Sequence, residues 1–374
     1  MNKNQLPVAT NFVPAITRRN QQPHHSIRSV FGSLLGAALL VTFLTAGSAP
    51  AHAQFVDRTS LILQNGWTAA PFATSRATVE VVSGIAQFKG AISSGTSAVA
   101  FTLGAAFRPL TDVYIKVDTC NATNARIHIT PAGVADVEVP IGGSFTNAQC
   151  FTSLDGASFA LRTTGYTNLT LVNGWTNAPF STSDAQFRLV SGVVHFKGAI
   201  ATSGTNAVPF TMPAGVRPAT DVYIPIDLCN AANGRIHITP GGVADIETAT
   251  FSDAQCFTSL DGAWYVPSAT GFTPLTLING WTNAPFSTSN AAAGNAYGLV
   301  YFKGAIATSG ASAQPFTLAP AFRPLHNTYI PIDLCGATNG RLYIQNNGTV
   351  SVQAETAFSN AQCFTSLDGA SFVQ

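Results

Sequence analysis

Beyond the first fifty positions, apolar and polar residues alternate with a period of two along much of the chain. In Ala86-Gln87-Phe88-Lys89-Gly90 the phenylalanine falls on one side and Gln87 and Lys89 on the other, the pattern of a strand with one face turned inward. In Arg126-Ile127-His128-Ile129 the isoleucines share one face and Arg126 and His128 the other. That stretch runs into Pro131-Ala132-Gly133, whose glycine can take the positive φ of a tight hairpin, and Val134 and Val137 then continue the apolar pattern. Short strands punctuated by Gly, Pro, Asn and Ser, with no convincing amphipathic helix, predict an all-β protein built of β-sandwich or jelly-roll-like units.

The pattern is written three times. Asn65-Gly66-Trp67 returns as Asn173-Gly174-Trp175 and Asn279-Gly280-Trp281, and Phe88-Lys89-Gly90 as Phe196-Lys197-Gly198 and Phe302-Lys303-Gly304. Arg108-Pro109 returns as Arg217-Pro218 and Arg323-Pro324, and each copy closes on Cys-Phe-Thr-Ser-Leu-Asp-Gly-Ala from Cys150, Cys256 and Cys363. Trp67, Trp175 and Trp281 are spaced by 108 and 106 positions, a period that denotes a repeated domain and not a solenoid unit. The expected organisation is a signal peptide over 1–53 and three tandem modules over 54–161, 162–267 and 268–374.

The signal peptide is read from Lys3, Arg18, Arg19 and Arg28 with no acidic residue in the first 53. An apolar run from Val30 to Ala46 and the small-x-small Ala51-His52-Ala53 follow. The other reading of that run is a membrane anchor, but Gly32, Ser33, Gly36, Thr42 and Thr45 dilute it and Pro50 ends it. The long basic leader looks bacterial. Cleavage leaves no further stretch of membrane length, and predicts a secreted, extracellular protein, soluble or associated with a cell surface.

Composition narrows the function classes. Only 9% of residues are charged, against about 25% in ordinary proteins, and there is no basic run. Nucleic-acid binding, which needs many cations against phosphates, is excluded on that basis. Disorder is excluded by 46% hydrophobic residues and 25 Phe. Removing the leader turns the formal charge of +1 into −3, because four basic residues go and no acidic one. Six cysteines fall two to a copy, 30, 27 and 28 positions apart. They predict Cys120–Cys150, Cys229–Cys256 and Cys335–Cys363 in an oxidising compartment; a metal site would need clustered ligands. No cofactor or metal is expected.

For chemistry, a repeated catalytic triad is excluded because no histidine recurs in all three copies. His195 corresponds to Gln87 and Tyr301, and His128 and His237 to Tyr343. Asp118, Asp227 and Asp333 recur, as do Asp155, Asp261 and Asp368. Paired carboxylates could serve a glycosidase, but turn-forming and backbone- or Arg-bonding roles account for them better. Candidate ligand-binding residues are Trp67, Trp175 and Trp281, whose indoles could stack on sugars or else serve as core. Trp264 and Tyr265 join them, since serines at 158 and 371 imply an exposed position. The remaining candidates are the varied outward set Gln87, His195 and Tyr301, and the repeated cations Lys89, Lys197, Lys303, Arg126, Arg235 and Arg341. An arginine there could clamp a carboxylate, or pin a strand.

Gly84-Ile85-Ala86-Gln87-Phe88-Lys89-Gly90, Phe107-Arg108-Pro109, Gly340-Arg341-Leu342-Tyr343-Ile344 with Gly348-Thr349-Val350, and Ser366-Leu367-Asp368-Gly369 resemble tip modules of phage tail fibres. That resemblance implies trimeric β-sandwich modules that recognise bacterial surface glycans. The disulfides and the three copies in one chain depart from it. Three fused modules could form a single-chain pseudo-trimer, and beads on a string is the alternative. The expected function is a non-enzymatic binding protein with a glycan or cell-envelope partner acting by avidity. A structural spacer is the alternative, and a glycoside hydrolase comes third.

Overall fold

Each repeat builds small antiparallel sheets, and the computed structural model describes them over residues 56–268 and 270–374. The expected signal peptide, 1–53, lies outside the described residues. In the first repeat one sheet orders Val56–Ser60, Thr78–Val82, Ile85–Lys89 and Ser158–Ala160. A second orders Thr152–Ser153, Ala91–Ser93 and Thr68–Ala69, and a third Val99–Thr102, Val134–Glu138, Asn124–Ile129 and Val113–Asp118. The second repeat follows the same plan. In the third, the second and third sheets are joined into one of six strands through Leu334 opposite Thr365; Thr119–Thr152 and Leu228–Thr258 make the matching isolated bridges. The protein is mostly β, as the period-two patterning predicts.

Three short helices, Phe145–Cys150, Phe251–Cys256 and Phe358–Cys363, were not foreseen. Six residues are too few to show a helical period or to hold on propensity alone. Each ends on a disulfide: Cys120–Cys150, Cys229–Cys256 and Cys335–Cys363, with Cα atoms 5.8, 5.6 and 5.7 Å apart. The pairing expected from spacing is the pairing observed. Among the described residues no helix is long and apolar enough to cross a membrane.

Each repeat has its own apolar core, centred on Phe88, Phe101 and Phe159, on Phe196, Phe210 and Tyr265, and on Phe302, Phe316 and Phe372. The repeated Phe-Lys-Gly and Leu-Asp-Gly motifs meet beside it. Asp155 Oδ1 accepts from Gly90 N at 2.8 Å, with Asp261 and Asp368 doing the same for Gly198 and Gly304 at 3.0 Å. Gly90 has φ +91°, and a Cβ there would sit 2.4 Å from the Arg76 carbonyl oxygen, so neither conformation nor space admits a side chain. The expected hairpin glycine is also confirmed, Gly133 having φ +85°.

One expectation of the alternating pattern fails. Ile85–Lys89 is buried on both faces: Gln87 faces a cavity shared with His195 and Tyr301 of the other repeats, and Lys89 lies beside Glu80 and Asp155 of its own. Val82 from the first repeat, Val193, Trp264 and Val266 from the second, and Leu299, Tyr301 and Val373 from the third form one further apolar cluster.

Three sets of hydrogen bonds run from repeat to repeat and close on themselves. Asn124 Nδ2 donates to the Ala231 carbonyl, Asn233 to Ala337 and Asn339 to Ala122, at 2.6, 2.6 and 2.7 Å. Arg126 donates to Asp227, Arg235 to Asp333 and Arg341 to Asp118, at 3.1, 2.8 and 2.9 Å. In the opposite sense, Ser153 donates to the Tyr329 carbonyl, Ser259 to Tyr114 and Ser366 to Tyr223, each at 2.6 Å. Lys116, where the other repeats have Pro225 and Pro331, donates to the side chains of both Asn124 and Asn233.

Candidate functional site: three clefts between repeats

The turn after each Asn-Gly-Trp carries a phenylalanine in an unusual conformation. Phe72, Phe180 and Phe286 have φ of 53°, 52° and 54°, the left-handed region that costs a non-glycine residue about 1–2 kcal/mol. Their neighbours share it, as in Ala178 at 58° and Ser181 at 61°. The neighbouring repeat holds each turn in place. Asp112 N donates to the Ser181 carbonyl at 3.2 Å, Asp221 N to Ser287 at 3.2 Å and Asn327 N to Ala73 at 3.1 Å. The three phenylalanines nevertheless stay more than half exposed, at 56%, 59% and 59%.

Each of these rings stands over a cleft between two repeats. The first cleft is lined by Tyr114 and Arg126 from one repeat and Phe180, Cys229, Asn230 and Phe257 from the next. The second has Tyr223 and Arg235 facing Phe286, Cys335, Gly336 and Phe364. The third has Tyr329 and Arg341 facing Phe72, Cys120, Asn121 and Phe151. Their volumes are about 70, 230 and 270 Å³, so the first is much tighter than the other two and all lie below the usual size of a drug-sized ligand pocket. Aromatic edges meet at the floor: Tyr114 and Phe257 have centroids 4.9 Å apart, Tyr223 and Phe364 5.0 Å, and Phe151 and Tyr329 4.8 Å. Each guanidinium lies over the tyrosine ring at 4.7 to 4.9 Å, a cation–π contact. The disulfide fixes the wall at Cys120, Cys229 or Cys335.

Behind the tyrosine the clefts differ. Tyr114 stacks on His128 at 4.3 Å and Tyr223 on His237 at 4.2 Å. His128 Nε2 meets Asp112 Oδ1 at 2.8 Å and its Nδ1 lies 3.6 Å from Glu138; for His237, Asp221 and Glu247 lie at 2.8 and 3.3 Å. Burial opposes the charge on both imidazoles, but hydrogen bonds to the two carboxylates outweigh it and raise their pKa above the ordinary value. In the third cleft Tyr329 stacks on Tyr343 at 4.6 Å, and Asn327 and Gln353 replace the acids.

The sequence-derived candidates divide around this geometry. Arg126, Arg235 and Arg341 line the clefts while also pinning one repeat to the next. Trp67, Trp175 and Trp281 do not: each is 5% exposed, with its indole nitrogen donating to the carbonyl of Ser97, Asn206 or Ser312 at 2.8–2.9 Å. These are core side chains, the other role foreseen for them. The exposure expected of Trp264 and Tyr265 is corrected, since they are 1% and 0% exposed. A position that holds serine in two copies is here buried between repeats. Tyr265 donates to the Val216 carbonyl, and Trp264 packs edge-on against Tyr301 at 4.9 Å.

Gln87, His195 and Tyr301 are likewise buried and line one cavity together where the repeats meet. Burial, reinforced by Arg188, pushes His195 down to about 3, so it is neutral there. Lys89, Lys197 and Lys303 are buried, at 7%, 6% and 6% exposed, and burial lowers the pKa of each.

The cleft aromatics Phe72, Phe180, Phe286, Tyr114, Tyr223, Tyr329, Phe151, Phe257 and Phe364 were not among the candidates. Their signal was present: Pro-Phe follows each tryptophan, and Phe follows the last cysteine, at the same place in all three copies. Among the described residues no cluster of three or more His, Cys, Asp or Glu could hold a metal. Compared with family models, curated proteins and solved structures, the chain matches none.

Proposed function

We propose that the chain is a non-enzymatic extracellular binding protein whose three β-sandwich modules form a single-chain pseudo-trimer. It holds glycans of a cell or envelope surface in the clefts between modules. The observation that carries this reading is the exposed phenylalanine held at left-handed φ over each cleft. Backbone strain of that kind persists where surrounding structure enforces it, and it gathers at binding sites. A half-exposed aromatic ring above a tyrosine, an arginine and an asparagine offers stacking to the apolar face of a sugar and hydrogen bonds to its hydroxyls.

The closed cycles of hydrogen bonds favour the pseudo-trimer over beads on a string, because a linear array would leave one set of donors and acceptors unmatched at each end. Three linked weak sites gain by effective concentration, which suits a repetitive surface. The motif resemblance to tail-fibre tip modules points the same way, and three disulfides suit an oxidising location.

A glycan array probed with the chain from residue 54 onward tests the reading. Binding that disappears in the Phe72→Ala/Phe180→Ala/Phe286→Ala variant, while the variant still unfolds in a cooperative transition with only a small loss of stability, is the expected result. Absence of binding to every glycan by the intact, oxidised protein would favour the spacer. Small-angle scattering with a maximum dimension fitting three modules end to end would overturn the pseudo-trimer.

A further inference from the structure

The three clefts are built alike but do not carry the same charge. In the first, Arg126 Nε and Nη2 both engage Glu138, at 2.7 and 2.6 Å, and Nη1 reaches Asp227 at 3.1 Å. Asp112 stands behind on His128. In the second, Arg235 engages Glu247 and Asp333, and Asp221 stands on His237. Each guanidinium therefore meets two carboxylates, and the histidine behind the tyrosine meets a third.

The third cleft lacks the glutamate, the second aspartate and the histidine, while Glu355 lies behind it near Asp118 and Lys116. Gln353 replaces the glutamate, accepting from Arg341 Nε at 2.6 Å; Asn327 replaces the aspartate and Tyr343 the histidine. Among the described residues Arg341 ion-pairs with Asp118 alone, at 2.9 Å. The Nη2 edge that Glu138 and Glu247 engage in the other clefts has no carboxylate on it here. The third cleft is also the largest of the three, at about 270 Å³ against about 70 and 230 Å³.

Resting on the binding function above, we infer that the third cleft is specific for an acidic sugar. The ring stacks on the exposed Phe72 at the mouth of the cleft, and its carboxylate is taken by the free edge of Arg341. The first two clefts exclude such a ligand, because a further carboxylate would face the glutamate and aspartate already there. Like charges a few ångströms apart in a partly desolvated cleft cost enough to weaken binding about tenfold or more. A charge-assisted contact from guanidinium to carboxylate is the strong form of the bond that the third cleft leaves open.

Calorimetric titration of the oxidised chain with a galacturonic acid trisaccharide and with the corresponding neutral galactose trisaccharide tests this. The acidic probe is expected at one site per chain. Gln353→Glu should weaken it about tenfold without changing the neutral probe, and Glu138→Gln/Glu247→Gln should raise its stoichiometry towards three. If the neutral probe binds at three sites while Gln353→Glu leaves the acidic one unchanged, the charge specificity is overturned and the binding function stands. If neither probe binds, both fall.

Discussion

Where the three repeats meet, equivalent positions hold different residues: Lys116 stands with Pro225 and Pro331, Trp264 with Ser158 and Ser371, and His195 with Gln87 and Tyr301. In the clefts, equivalent positions are nearly the same: Tyr114, Tyr223 and Tyr329; Phe151, Phe257 and Phe364; Phe72, Phe180 and Phe286. The contrast has a steric origin. At the meeting point three equivalent side chains converge on one volume, which holds one indole or one ammonium but not three. The clefts are separate, and each has room for the whole set. A single chain can place one large residue at such a point because its three copies need not be identical.

The largest effect should come from that shared volume. Trp264→Ser empties it and is expected to lose about 3–5 kcal/mol of stability. Adding Ser158→Trp to that variant should recover at least half, whereas Ser158→Trp alone should overpack and destabilise. Denaturant unfolding of the three variants measures this cycle. Additive losses in the double variant would mean that the two sites do not share space.

Next comes the wall of the clefts. Replacing one cysteine pair, such as Cys229→Ala/Cys256→Ala, should lower stability by about 3–4 kcal/mol, given closed loops of roughly 30 residues. Binding at the cleft beside Cys229 should fall while the other two are retained. Loss of all binding together would show that the clefts are not independent.

A pH effect of intermediate size follows from the buried carboxylates. Burial pushes Asp155, Asp261 and Asp368 up to about 7, against the backbone donors of Gly90, Gly198 and Gly304 and the nearby lysines. Burial likewise pushes Asp118, Asp227 and Asp333 up to about 7, against their arginines. A folded pKa above the unfolded one favours the protonated native state, so this stabilisation is complete below about pH 4 and lost as pH rises through about 7. His128 and His237, raised by Glu138, Asp112 and their counterparts, act in the same direction. Glu138 and Glu247 oppose it only in acid, because histidine and arginine partners hold them below the usual range; His195, pushed down to about 3 by burial, opposes it up to about pH 6.5 as one group against six carboxylates. Lys116, pushed down to about 8 by burial, opposes it only above that pH. Melting temperature should therefore fall between pH 5 and 7.5, and Asp155→Asn should flatten the decline.

The smallest expected change in stability is that of Phe72→Ala, Phe180→Ala or Phe286→Ala, under about 1 kcal/mol for a ring more than half exposed. A loss of several kcal/mol by thermal unfolding would make these rings structural plugs and end the distinction between meeting point and cleft.

Much of the fold was legible locally. Strand patterning needs only neighbours along the chain, and three copies of one motif set fixed the disulfide pairs and the turn glycines. The site was less legible. Arg126, Arg235 and Arg341 stand out as repeated cations, yet their carboxylate partners across the clefts lie 101, 98 and 223 positions away. Trp264 was misread because substitution by serine in other copies signals exposure only when the copies are isolated from one another.

The sequence alone determined what one repeat does to itself: its strands, its core phenylalanines, its disulfide and the hairpin glycine at Gly133. Only the tertiary structure decided what the repeats do to one another. It buried Gln87 on a face whose alternation looked solvent-facing, brought Lys116 between two asparagines of different repeats, and raised three phenylalanines over the seams. The physical reason is that alternation reports that a face is polar, and a polar face covered by protein reads the same along the chain as one covered by water.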